Sequence, residues 1–377
     1  MVLVETNIKR FYEDIDPLNI SRADIYPRAS GHISEMIDFV KDLLSNNYAY
    51  EVNGNIYFDT AKFTGYGKLS PTKYEDESVG ARVEVNPEKK NPRDFALWIR
   101  APPEHLMKWT SPWGLGYPGW HLECSVMSQK YLGETLDIHA GGIDHLNLHH
   151  DNEIAQSEAR TGKKFCNMWL HAAFLTVNGE RMGKSKGNYI LVRELLKDQD
   201  PMLVRLFLVN GHYRKSVDFN TEVLKQTQIL LDRIRTTLAS LEHAEGGKTI
   251  NLKKSISDLE QEFNTSMDDD MNTVGAIQAV MKFIKKVNNS LDNEKKILEQ
   301  AYEKIITLME VLGINLSSSS SKSETSLSSL VELLIELRSD LRKAKQYELG
   351  DKIRDSLLNL NIQLEDKPEG TIWKIKS

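Results

Sequence analysis

The stretch HAGGIDHLNLHHDNE, residues 139–153, sets four histidines, two aspartates and a glutamate within fifteen positions. Imidazoles and carboxylates both hold metal ions and carry protons. If a helix begins near His149, then His149 and Glu153 stand four residues apart on one face, where two side chains reach one ion, and His150 points elsewhere. WHLEC offers a thiol at Cys124 from a separate segment, and zinc accepts all three donor types. The competing reading makes the histidines polar core residues and Cys124 a small buried apolar one. A single His-x3-Glu pair does not separate the two.

DIHAGGID places two glycines after a short apolar run, which permits a tight turn and a close approach of backbone to ligand, with His139 and Asp144 flanking it. An ordinary strand-to-helix turn uses the same residues. ERMGKSKGNYI, residues 180–190, sets lysines between glycines. Such a loop closes over phosphates while an ammonium offsets charge on the group being transferred. Lys184 and Lys186 are the candidates, and a solvated basic turn is the alternative.

These groups need elements to hold them. Residues 1–50 read as helical, with Ile33, Met36, Ile37, Val40 and Leu44 at helical spacing behind Ser30 as a cap. EVNGNIYFDTAKF alternates around Asn-Gly and predicts a hairpin. Residues 70–120 are rich in Pro, Gly and Trp and suit an ordered, functional insertion. From 120 to about 220 short apolar runs alternate with helical stretches, the rhythm of an α/β domain. Amphipathic segments over 221–315 predict a helical bundle. The Ser-rich run over 316–329 reads as a linker, and 330–377 as a helical module ending in the strand-like TIWKIK. No internal repeat is present.

The chain has 377 residues, 40% of them hydrophobic, a formal net charge of −6 and two cysteines, Cys124 and Cys166. That composition describes a globular protein and excludes a disulfide framework and a nonspecific nucleic-acid coat. No signal-like N-terminus and no long apolar run occurs, so the sequence reads as cytoplasmic and without a membrane partner.

Taken together, RMGKSKGN, GWHLECSVM, DIHAGGIDHLNLHHDNEIAQSEA, FLVNGHYR and MDDDMNT resemble segments of the cysteinyl-tRNA synthetases, which are class I aminoacyl-tRNA synthetases. The similarity runs on through LEDKPEGTIWK and covers essentially the whole chain. RMGKSKGN is similar to the family's Lys-Met-Ser-Lys-Ser loop, with Arg181 and Gly183 as departures and Met182, Lys184 and Ser185 kept. The resemblance implies an α/β catalytic remainder (a partial Rossmann-like class I fold), then a helical bundle and a small C-terminal anticodon-binding module. It implies one Zn²⁺ held by Cys124, His149 and Glu153, a pocket for amino acid and adenylate at Trp120, His139 and Asp144, and Lys184, Ser185 and Met182 in the catalytic loop. Arg354, Asp366 and Trp373 fall where tRNA contacts are expected.

The implied reaction joins L-cysteine to tRNA(Cys) through cysteinyl-adenylate, with ATP and Mg²⁺, in a monomeric enzyme. Zinc would separate a thiol from a hydroxyl better than an apolar pocket, which distinguishes near-isosteres by only about a hundredfold. The family's His-x-Gly-His motif and a further ligand cysteine have no counterpart here, and Cys166 is the one substitute on offer. The expectation is therefore a chain lacking the N-terminal catalytic segment, completed in some settings by a separate N-terminal piece. Two other readings remain open: a noncatalytic tRNA-binding or regulatory short form, and a ligase joining cysteine to an amino sugar.

Overall fold

The computed structural model describes residues 2–70, 86–316, 320–360, 362–367 and 370–375. The chain divides into two compact units, Met1–Leu308 and Met309–Ser377.

In the first unit, α1 (Val2–Ile15) and α2 (Ile33–Ser45) are the helices that the periodicity predicts. Helix α2 buries Ile33, Met36, Phe39, Val40 and Leu43 at three- and four-residue steps, one stripe facing a core. Ser30 does not cap it. Ser30 lies inside a separate 3₁₀ turn, Ala29–Gly31, so the helix starts later, with His32 at the cap position and no side-chain cap bond.

The predicted hairpin is β1 (Ala49–Val52) and β2 (Asn55–Phe58). Its two turn residues, Asn53 and Gly54, have φ of 54° and 82°, the left-handed pair that a two-residue turn matched to strand twist demands. Strands β3 (Phe95–Arg100), β4 (Trp109–Ser111) and β5 (Gly114–Pro118) complete an antiparallel sheet of order β1-β2-β3-β5-β4. The Trp-rich insertion is thus an ordered part of the sheet from residue 86 onward, with Trp98 fully buried, and its residues 71–85 lie outside those described.

Helix α3 (Trp120–Leu132), β6 (Leu136–Gly142), α4 (His149–Thr161) and β7 (Cys166–Ala172) form the part that carries the histidines. Strands β6 and β7 pair in parallel, with His139 opposite Trp169, so α4 is the crossover of a β-α-β unit. Ile138 and Met168 face each other in register and are each 55% exposed, the open apolar face of a two-stranded sheet. Helix α4 lies between two cores. Ala155 and Ala159 join the core of α2, β1–β3 and α3, while Ile154 joins Leu136, Phe165 and Cys166. Apolar contacts on both sides bury the helix almost all round, its polar residues included.

Strands β8 (Leu175–Val177) and β9 (Glu180–Arg181), helices α5 (Val192–Asp198) and α6 (Pro201–Val209), and β10 (Val217–Phe219) close the α/β part, in a small sheet of order β10-β8-β9. Then come the long helices that the amphipathic segments predict: α7 (Thr221–His243), α8 (Leu252–Asp268), α9 (Thr273–Asn288) and α10 (Lys295–Val311). Asn220 and Asn272 cap α7 and α9, accepting from the amides of Val223 and Gly275.

The second unit holds α11 (Ser320–Lys343), α12 (Tyr347–Asn359), β11 (Ile362–Lys367) and β12 (Gly370–Ile375), the last two an antiparallel hairpin. Val331, Leu357, Ile362 and Leu364 form its core. The stretch expected to be a linker is helical from Ser320 onward. Serine lowers helix stability by only a few tenths of a kcal/mol, too little to stop a helix that packs through residues such as Val331 further on.

Candidate active site and metal centre

Helix α4 is the least ordinary element in the chain: His150, Asp151, Asn152, Glu153, Gln156 and Ser157 are all buried. Buried polar groups need partners, and most have them. Asp151 accepts from the Ser70 hydroxyl and the Leu69 amide, and Asn152 accepts from the Tyr66 hydroxyl at 2.6 Å. Gln156 donates to the His121 carbonyl at 2.8 Å and to Ser125 at 2.6 Å, and Ser157 donates to Ser125.

Glu153 stands apart. Its carboxylate is fully buried, His139 Nε2 and His149 Nε2 stand 2.9 Å from its two oxygens, yet neither oxygen has a hydrogen bond of acceptable geometry. Two anionic oxygens without hydrogen bonds, facing imidazoles, form a cradle that suits a cation. Burial would raise this carboxyl, but the imidazoles of His139 and His149 outweigh it and hold it down at about 2.

The donor atoms of Cys124, His149 and Glu153 all lie within 4.8 Å of one another, and so do those of His139, His150 and Glu153. Helix α3 brings the thiol: Gly119 stands at its cap position, where any Cβ would overlap the Ala96 carbonyl, so only glycine lets α3 start this close to β3. Burial first, and the neighbouring Glu153 second, push the Cys124 thiol up to about 12. A divalent ion reverses that balance, since thiolate is the ligand form. The second group is less available, because His150 Nδ1 is 2.8 Å from His171 Nε2. Burial, above all, lowers His150 to about 3. Cys166 joins neither group: it belongs to the β6–β7 core, with its thiol on the Met168 carbonyl.

The other expected residues gather around this centre. Trp120, at the start of α3 and 64% exposed, lies with its ring 4.7 Å from that of His149 and 5.2 Å from that of His145. Gly141 and Gly142 end β6 without left-handed φ, and the chain turns directly after them, in the 3₁₀ turn Ile143–His145. Their smallness serves packing, since a Cβ on Gly141 would fall 2.7 Å from the His150 ring and one on Gly142 would run into Asp144.

Lys184, Ser185 and Lys186 form an exposed 3₁₀ turn between Gly183 and Gly187, the latter left-handed at φ 69°. Asn188 fastens this loop, accepting from the Gly183 amide at 2.9 Å and donating to the Arg181 carbonyl at 3.2 Å. Met182 is half-buried beside it. Arg181 lies over the Phe174 ring at 3.9 Å and reaches Asp144 at 3.5 Å, so the lysine loop and the histidine stretch meet at one place.

Some participants carried no sequence signal. Leu148 sits at φ 71°, a strained conformation for a branched side chain, immediately before His149. His121 and His171 line the site from α3 and β7, and burial lowers both. A helical pattern around WHLEC could have raised His121; nothing local marks Leu148.

In the second unit, Arg338 is almost fully buried and forms a double hydrogen bond to Asp366 at 2.8 and 2.9 Å, with Arg342 and Thr371 on the same carboxylate. Arg338 holds the Asp366 carboxyl well below its usual range. Asp366 is therefore engaged inside the unit, Trp373 packs against its core, and Arg354 is exposed on α12.

A parallel β-α-β unit, a centre with mixed thiol, imidazole and carboxylate donors at its edge, and a glycine-lysine loop beside it all lie in the part of the chain that matches a class I tRNA synthetase catalytic domain. Residues 1–229 match the family described as the tRNA synthetases class I (C) catalytic domain, and residues 262–317 match the DALR domain. The chain is 44% identical to a cysteine–tRNA ligase of Clostridioides difficile (strain 630), over 97% of this chain and 80% of that protein. It is also 44% identical to the cysteine–tRNA ligase of Thermococcus gammatolerans, over 99% and 81%. The solved Mycobacterium tuberculosis methionyl-tRNA synthetase in complex with methionyl-adenylate shares the fold, with a TM-score of 0.55 and 14% identity over 83% of this chain and 77% of that one. The chain belongs to the cysteine–tRNA ligase family. It is a ligase whose substrates are an amino acid, ATP and tRNA, and whose family uses a metal. Among the described residues no helix is long and apolar enough to cross a membrane.

Proposed function

We propose that Cys124, His149 and Glu153 hold one zinc ion that selects L-cysteine, and that Lys184 serves the activation of this amino acid by ATP–Mg²⁺. The observation that carries the reading is Glu153, a buried carboxylate whose two oxygens lack hydrogen bonds within 4.8 Å of a thiol and an imidazole. Thiol, imidazole and carboxylate are all zinc donors, so the residues fit the ion. When bound, zinc supplies a Lewis-acidic centre with affinity for sulfur, which favours a thiol-bearing substrate over its hydroxyl counterpart.

The chain's own residues do the rest. Trp120 and His139 wall the amino-acid pocket and exclude water, and Asp144 and Lys184 bracket the nucleotide. The carboxylate of cysteine attacks the α-phosphate of ATP, the bond to the β-phosphate oxygen breaks, and pyrophosphate leaves. The Lys184 ammonium offsets the charge that grows on the departing phosphates, with Ser185 and Met182 shaping the loop around it. A terminal ribose hydroxyl of tRNA(Cys) then attacks the adenylate carbonyl carbon and AMP leaves. Residues 1–220 carry this chemistry, 221–315 dock the tRNA, and 330–377 read the anticodon, with Arg354 and Trp373 as contacts and Asp366 orienting the hairpin from within. The enzyme works as a cytoplasmic monomer.

The testing experiment is elemental analysis of the purified chain and of Cys124→Ala and His149→Ala. Close to one zinc per chain, sharply reduced in both variants, is expected. Full zinc content in either variant removes that residue from the site.

A further inference from the structure

Asp270 and Met271 lie at the turn from α8 to α9, and both have φ of 53°. Two successive side-chain-bearing residues in the left-handed region are uncommon, and such a turn persists only where its surroundings impose it. Backbone bonds from the Met271 amide to the Met267 carbonyl and from the Asn272 amide to the Ser266 carbonyl close the turn, and the side chains of one segment clasp it from outside. Tyr213 donates its hydroxyl to Asp270 at 2.6 Å, Arg214 pairs with the same carboxylate at 2.7 Å, and His212 Nε2 stands 3.9 Å away. Neither FLVNGHYR nor MDDDMNT supplies a donor to the metal centre or a residue to the lysine loop.

The segment that clasps Asp270 also carries the platform of that loop. The Tyr213 carbonyl accepts from the Ala173 amide at 2.7 Å, where β7 ends, and the Val217 amide donates to the Phe174 carbonyl. Strand β10 then pairs in parallel with β8. Asp218 on β10 accepts from Thr176 at 2.6 Å and from the Gly179 amide at 2.7 Å, holding the turn of the β8–β9 hairpin. That hairpin runs straight into Gly183 and Lys184, and its Arg181 lies over Phe174. Met271, Tyr213 and Phe174 line one cavity of about 480 Å³ beside the end of β6.

We propose that Asp270 is a positioning residue: the strained turn it anchors fixes the segment 211–219, and through β10 and β8 sets where the lysine loop stands. One link follows another without a gap, from the helical bundle to the loop. A coupling of this kind requires that loosening one end be felt at the other. The inference rests on the proposed role of Lys184 for its catalytic meaning, but not for its mechanics.

The test is hydrogen exchange followed by mass spectrometry on the full chain and on D270N. Amides of residues 173–181 are expected to exchange about tenfold faster in the variant, with α4 and β6 unchanged. Acceleration confined to residues 212–214 and 266–275 would overturn the proposal. If D270N exchanges faster throughout, Y213F decides, because it removes the hydroxyl that donates to Asp270 and accepts from Arg214 and leaves the Asp270–Arg214 pair: faster exchange at 173–181 supports the coupling, and a wild-type pattern there ends it. In pyrophosphate exchange D270N should lower kcat by about tenfold or more and leave KM for cysteine unchanged, as for a misplaced catalytic group. An unchanged kcat, or a KM that rises as kcat falls, counts against positioning. K184A is measured alongside: a wild-type rate there refutes the lysine's role, while the exchange pattern of D270N still decides for or against the clasp.

Discussion

Cys124 makes a quantitative demand on metal binding. Burial, with Glu153 beside it, raises its thiol from 9.0 to about 12 in the metal-free chain. Relative to an ordinary cysteine, releasing that proton to a metal costs about 4 kcal/mol more. The metal-bound form carries a thiolate and the metal-free form a thiol, so one proton leaves with each ion bound, and affinity rises with pH. The logarithm of the zinc association constant should climb by about one per pH unit between about pH 8 and about pH 10. Glu153, held at about 2, stays ionised throughout and adds nothing to the slope. In Cys124→Ser the hydroxyl keeps its proton, the slope should fall toward zero, and affinity should drop roughly 10²–10³-fold, about a quarter of the free energy of a four-ligand site. The assay is competition with a chelator of known affinity at each pH, with cobalt substitution to read the thiolate charge-transfer band. A wild-type slope below about 0.3, or equal slopes in wild type and Cys124→Ser, would mean that no thiol proton is released and that Cys124 is not a ligand. Folding of the metal-free chain depends on pH in the opposite direction. The unfolded thiol ionises near 9.0 and the folded one near 12, so stability falls between them by up to about 1.4 kcal/mol per pH unit, and bound metal abolishes the loss.

Three other perturbations probe the lysine loop, the seat of α3 and the second unit. Replacing Lys184 by Ala should slow adenylate formation in a complete enzyme by about 10²–10³, read as pyrophosphate exchange, and an unchanged rate would remove the ammonium from the mechanism. Gly119→Ala forces α3 away from the Ala96 carbonyl, so thermal denaturation should show a loss of about 2 kcal/mol or more and metal content should fall with it; a stable variant with full metal would show that α3 has room to move. Asp366→Asn leaves the Arg338 guanidinium buried without its charge partner, and chemical denaturation should report a loss on the order of 3 kcal/mol, whereas tRNA affinity lost at unchanged stability would make Asp366 a direct contact instead.

The donor residues, the lysine loop and most elements were legible in the sequence because their causes are local. His149 and Glu153 share a helical face by spacing alone, Asn53-Gly54 dictates its hairpin, and apolar periodicity marks α2 and the helices after 220. Local signals misled where packing had the last word. The Ser-rich run became helix, Ser30 was passed over as a cap, and the Gly141–Gly142 pair makes room for His150 and Asp144 beside a turn that needs no left-handed glycine. Asp366, expected at an RNA surface, spends its charge on Arg338, twenty-eight residues away.

The chemistry on hand was thus written in the chain itself: a thiol, imidazoles, a carboxylate and a glycine-set lysine, in segments whose local pattern makes strands and helices. Their convergence came from folding. Burying α4 between two cores strips water from Glu153 and leaves its oxygens beside His139, His149 and Cys124, and the turn at Asp270 meets Tyr213 and Arg214 across fifty-seven and fifty-six residues. Solvation and distance between segments remote in sequence depend on how the whole unit packs, and no local pattern encodes them.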